Sequence, residues 1–268
     1  QLHEEVLAQP EQAERAWRDL LDIEPNDREA LRRLSRVYEA SGSTTELLEM
    51  LERQVEASND GQERRDLRMR LANLLRETVK DRAAEVDVLR SLLLEAPGDD
   101  DAMAALVRAL VAEERHAEAA DMIGERAVLA TSDERRASLG LEAARIFAGP
   151  LGDVPSAIER YEQVLMLAPG QDGALADLIE LAQSVDHFEA AGALVVPRLE
   201  EATRFADLAE VLDARARLST DVAEQVAALR RLATVRVGRL EDTEGALDAW
   251  VRLIDVVSVE ELREVLEQ

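Results

Sequence analysis

Three histidines, His3, His116 and His187, stand far apart in a chain of 268 residues that has no cysteine. A zinc site needs several such ligands at short fixed spacing, as in HExxH, and no such pair is present, so no metal is expected. The missing cysteines also exclude disulfides and thiolate nucleophiles. Gly149-Pro150-Leu151-Gly152-Asp153 has the glycines of a phosphate-cradling loop. It lacks the Gly-Lys-Ser/Thr that must follow and comes after a helical pattern rather than a strand, so it reads as a connecting turn with Asp153 as a helix N-cap. No serine occupies a Gly-x-Ser-x-Gly elbow, and the carboxylates are spread round helical faces without converging. The chain therefore reads as non-catalytic and without a cofactor. The side chain with most chemistry left to offer is arginine, whose planar guanidinium forks onto carboxylates.

Fifty-seven acidic residues against 32 basic ones give a formal charge of -25. That field repels a phosphate backbone and an anionic bilayer alike, so nucleic acid is not an expected partner. Lys80 is the only lysine and the other basic residues are arginines, a bias that a GC-rich bacterial genome produces without any functional cause. No apolar run reaches the roughly 18 residues that would cross a bilayer, so no membrane insertion is expected in this segment. Compartment and targeting are not legible from a chain that starts at Gln1.

The elements that position these residues are helices. Hydrophobic residues make up 47% and aromatics only 3%, with 12 glycines and 7 prolines, which favours small and aliphatic packing between helices over a sheet. An internal repeat organises them: Pro25, Pro97 and Pro169 are spaced by 72, and the same step takes Leu48, Met50 and Leu51 to Ala120, Met122 and Ile123, and Asp81 to Asp153. This register holds without a gap over about 9–186. Leu31, Leu34, Val37 and Tyr38 share one helical face, as do Leu47, Leu48, Leu51 and Val55 of the next helix. Helix punctuation falls between them: Pro25-Asn26-Asp27 stops one helix and caps another, Ser41-Gly42-Ser43 supplies a Gly C-cap and a Ser N-cap, and Pro97-Gly98-Asp99 repeats the first pattern. Each unit holds four helices, a hairpin about every 36 residues. From Asp153 to its next counterpart, Asp242, the step is 89, so one helix is added, placed at about 187–203, where Pro197 interrupts the helical pattern and a kink or break in the stack is expected. Further hairpins fill 204–268. Leu2 to Ala8 reads as a helix tail and Val259 to Leu266 as the start of a further helix, a segment of a longer array whose uncapped ends could self-associate.

These residues resemble the tetratricopeptide (TPR) family of helix-turn-helix repeats. Ala13, Trp17 and Pro25, and Ala157, Tyr161 and Pro169, match the family's small, aromatic and proline positions of the second helix; Ala246 and Trp250 match again, with Ser258 in place of proline. Leu31, Leu34 and Tyr38 match bulky positions of the first helix. Its small position is Ala72, Ala144 and Ala233 in one set of hairpins and Ser35, Val107 and Ile179 in the other. The bulkier residues of the second set leave a HEAT-like or other αα-solenoid open. The expected class is all-α, a right-handed αα-superhelix of about fifteen helices.

The resemblance implies a concave side lined by the first helices, with Arg36, Asn73, Arg108, Arg145 and Glu180 in a row across it. Three arginines there would receive carboxylates from an acidic peptide or protein, or would each pair with a glutamate of the adjacent helix and serve the stack. The family's lysine and asparagine clamp for chaperone C-termini is not matched, since Arg32 and Arg36, then Ala104 and Arg108, occupy its positions. The function implied is a protein-protein interaction scaffold; a structural spacer that assembles by end-to-end stacking is the alternative. Runs such as Glu63-Arg64-Arg65 and Leu229-Arg230-Arg231 are expected to be solvated faces with i to i+4 pairs. Trp17, Tyr38, Phe147, Tyr161 and Trp250 are expected in the core, and one of Phe188 and Phe205 partly exposed.

Overall fold

The structure, a computed structural model, describes residues 10–257. The helical segments expected at Leu2 to Ala8 and Val259 to Leu266, with His3, Gln9 and Ser258, lie outside them. Among the described residues every regular element is helical, and they fall into two compact units that divide after Leu129.

The first unit contains α1 (Pro10–Ile23), α2 (Arg28–Ser41), α3 (Thr44–Ala57), α4 (Gly61–Leu74), a π-helical turn (Leu75–Val79), α5 (Arg82–Glu95), α6 (Asp100–Ala112) and α7 (His116–Leu129). The second contains α8 (Asp133–Ala148), α9 (Val154–Leu167), α10 (Asp172–Leu181), α11 (Phe188–Glu201), α12 (Phe205–Leu218), α13 (Val222–Arg239) and α14 (Thr243–Val256). Within each unit the helices pack mainly on their neighbours in sequence, the arrangement of a helical-hairpin solenoid.

Apolar periodicity sets the packed faces. Leu31 and Leu34 of α2 are fully buried and Tyr38 nearly so, against Leu47, Met50 and Leu51 of α3. In the second unit Tyr161, Val164 and Leu165 of α9 bury among Ala144, Ala174, Leu175 and Leu178. The small positions Ala72, Ala144 and Ala233 are buried, and so are Ser35, Val107 and Ile179. Trp17 and Trp250 pack on the cores as partly buried rings. Phe188 is buried, and Phe205 is partly buried beneath the Arg239 guanidinium, 5.1 Å from the ring centroid.

Caps close the helices at the repeat positions. Asp27, Asp99 and Asp153 accept from the backbone N–H of Ala30, Ala102 and Ser156 at 2.7, 3.0 and 3.2 Å. Ser43 starts α3 but makes no side-chain cap, because its hydroxyl pairs with that of Ser41 at 2.9 Å. Left-handed residues recur at the turns: Gly42, Glu114 and Thr203 in one series, and Lys80, Gly152 and Glu241 in the other, separated by steps of 72 and then 89. Only one member of each series is glycine, although the conformation costs other L-residues about 1–2 kcal/mol. Turn geometry is thus repeated more faithfully than turn sequence.

Residues 187–203 hold α11, and Pro197 does not interrupt it, contrary to the expectation from sequence. Proline removes one backbone donor, but Val195, Val196 and Leu199 around it are buried, and that packing carries the helix through.

Candidate functional site

In the first unit Arg28, Arg32 and Arg36 are spaced by four on one face of α2 and face Arg70 of α4 across an open slot of about 630 Å³. Ser35 and Gln54 form part of its wall: Gln54 Nε2 donates to Ser35 Oγ at 2.6 Å, and Ser35 Oγ donates to the Leu31 carbonyl at 2.9 Å. Two of the arginines share one carboxylate. Arg32 Nη2 lies 2.7 Å from Glu63 Oε1, and Arg28 contacts the other oxygen, which also accepts from Ser58 Oγ at 2.5 Å. The Ser58 hydrogen bond, then Arg32 and Arg28, hold the Glu63 carboxyl below its ordinary range. Arg70 pairs with Glu39 at 2.7 Å. Arg36 is exposed and has no acidic partner among the described residues.

The other residues of the expected row meet different surroundings. Asn73 is exposed, with Oδ1 accepting from Arg76 Nη2 at 3.1 Å. Arg108 is exposed on α6 and without an acidic partner among the described residues. In the second unit Arg145 forks onto Asp177 of α10, at 2.7 and 3.3 Å, and the buried Tyr161 hydroxyl donates to the same carboxylate at 3.1 Å. Burial, with Asp177 adding, pushes the Tyr161 phenol far up. Arg145 and Glu180 line one cavity of about 500 Å³.

The expected pairs at i to i+4 occur, as in Arg33–Glu29 and Arg53–Glu49, but Arg64, Arg65 and Arg231 of the named runs pair between helices. Arg64 and Arg68 share Glu95 at 2.8 and 2.6 Å, Arg65 reaches Asp99 and Asp101 at 2.5 and 2.9 Å, and Arg231 reaches Glu200. Separations of 31 for Arg32–Glu63, 31 for Arg64–Glu95 and 32 for Arg145–Asp177 carry the signal, a spacing close to one hairpin that a search at three and four does not test. Sequence reading also missed a buried-serine cap. Ser58 and Ser219 each donate to a glutamate five residues on, Glu63 and Glu224, and accept from the N–H of Asp60 and Asp221, the N-caps of α4 and α13.

This ion-pair system predicts acid lability. Arg68 and then Arg64 pull Glu95 down to about 2 from 4.5, and Arg65 lowers Asp99. A carboxylate with a depressed folded pKa contributes stability that is complete above its unfolded pKa and is lost as pH falls through the folded one. The melting temperature is therefore expected to fall as pH drops from about 4.5 to about 2. Scanning calorimetry at dilute protein checks this, and a flat profile across that window would contradict it.

No metal-holding group of three or more His, Cys, Asp or Glu occurs among the described residues, and none of their helices is long and apolar enough to cross a membrane. The fold defines a class, all-α, with each unit a stack of helical hairpins. No family profile matches the chain, and no curated protein matches it. Among solved structures it is similar to a tetratricopeptide repeat protein from Parabacteroides merdae, at 11% identity and a TM-score of 0.46, covering 90% of this chain and 97% of that one. It is also similar to the C-terminal part of a TPR repeat-containing protein from Cytophaga hutchinsonii, at 12% identity and a TM-score of 0.44, covering 87% and 93%.

Proposed function

We propose that this chain is a non-catalytic protein-interaction scaffold whose first-helix arginines take carboxylates from an acidic segment of a protein partner, with Arg36, Asn73, Arg108 and Arg145 as contact residues. The observation that carries this reading is Arg36: an exposed guanidinium left without an acidic partner among the described residues, at a slot already lined by three other arginines. An incoming carboxylate there forms a charge-assisted pair without first displacing an internal one. Arg145 favours the second reading, a structural spacer, because Asp177 already occupies its fork.

The test is capture of partners on wild-type chain beside a variant carrying Arg36→Glu, Arg108→Glu and Arg145→Glu. Under the scaffold reading an acidic partner is retained by the wild type and lost by the variant, with affinity lowered at least about tenfold, the equivalent of one charge-assisted hydrogen bond. Retention of the same set by both, or only of copies of this chain, supports the spacer. Circular dichroism must first find the two equally helical.

A further inference from the structure

A second surface of the first unit has the opposite character. Helices α5, α6 and α7 enclose a groove of about 470 Å³ whose floor is Leu106 and Leu110, each 1% exposed. One wall carries Leu94, which is 85% exposed at the end of α5, and the other carries Met122 of α7. Leu93, Leu94 and Met122 line the groove together above that floor, and it is such adjoining apolar surface, not a lone exposed leucine, that marks an interaction site.

The rim specifies charge. Glu118, Asp121 and Glu125 lie on one face of α7 beside the groove. Glu118 is neutralised by Arg115 at 2.7 Å and by Arg90. Asp121 and Glu125, four residues apart, are exposed and make no ion pair among the described residues, with Arg90 of the same groove engaged by Glu118. Like charges at that spacing cost a helix a few tenths of a kcal/mol, and the net charge of -25 draws cations toward any such site.

We infer that the groove over Leu106 and Leu110 is a docking site for a basic amphipathic helix, its apolar stripe against Leu94 and Met122 and its arginines or lysines on Asp121 and Glu125. The mode is an amphipathic helix laid in a groove. An acidic ligand is repelled by the same two carboxylates, so this surface and the arginine slot select partners of opposite sign.

The probe is a fluorescein-labelled synthetic helix with leucines on one face and lysines on the other, followed by anisotropy. Saturable binding is expected, weakened at least about tenfold by Leu94→Asp. Asp121→Asn with Glu125→Gln should weaken binding and flatten its salt dependence. Leu247→Asp, at an exposed apolar site on α14, should bind like wild type. Leu94→Asp adds charge at an open position and should melt as wild type does; Leu94→Ala, which removes the apolar contact without adding charge, should weaken binding as well. Equal binding by all variants, or no saturable binding, overturns the proposal. So does a dimer of the chain alone that Leu94→Asp dissociates in sedimentation, since the occupant would then be a second copy.

Discussion

Tyr161→Ala is expected to lower the unfolding free energy of the second unit by about 3–5 kcal/mol, the range for truncating a large buried aromatic. The ring is 1% exposed at the centre of the α8–α10 packing, between the buried small positions Ala144 and Ala174, and its hydroxyl ends on Asp177. Truncation removes the apolar contacts of the ring and leaves a cavity that rigid neighbouring helices do not fill. Tyr161→Phe separates the two contributions. It keeps the ring and loses one hydrogen bond, about 1 kcal/mol, because Arg145 still satisfies Asp177. Hydrogen exchange of the α9 and α10 amides is the suitable readout, since long repeat arrays need not unfold in one step. Exchange of Tyr161→Ala within about 1 kcal/mol of wild type would contradict this account.

Leu34→Ala is expected to cost the first unit about 2–5 kcal/mol. Leu34 has no exposed surface and sits between Leu31 and Tyr38 on the face of α2 that meets Leu47 and Leu51. It is also next to Ser35, whose hydroxyl ties α2 to Gln54 of α3, while Arg32 and Arg36 project from the same helix. Loosening Leu34 therefore disturbs the slot from beneath. Leu34→Met, nearly equal in volume, should cost less than about 1.5 kcal/mol and leave partner capture intact. Urea denaturation followed by helical ellipticity distinguishes the two substitutions, and equal midpoints would refute the packing argument.

The prolines spaced by 72 located helix boundaries well, with Asp27 and Asp99 capping after the first two and Gln171 starting the helix after Pro169 without a side-chain cap, because chain reversal is decided by a few local residues. Periodicity likewise placed Leu31, Leu34, Tyr38 and Tyr161 in the cores. Ion-pair partners were not legible, because a helical period gives the face of a residue but not the helix that face meets. Arg145 and Arg36 illustrate this. Both stand one place after a small position, yet the residue 32 further on is Asp177 for Arg145 and Arg68 for Arg36. The first arginine is consumed by the stack and the second is left over. The same local logic misjudged Pro197, where burial of Val195, Val196 and Leu199 outweighs one lost backbone bond.

The π-helical turn after α4 ends on Lys80, exposed and left-handed at φ 61°, and this is the only lysine in the chain. Every other basic side chain is an arginine, which amine-selective reagents and lysine-directed proteases ignore. A lysine-specific protease therefore has one cleavage point, and its rate reports the opening of that single turn. Among side chains a succinimidyl dye has the same single amine to acylate, with the α-amino group of the chain as its one competitor, and the lower pKa of that group lets pH choose between the two.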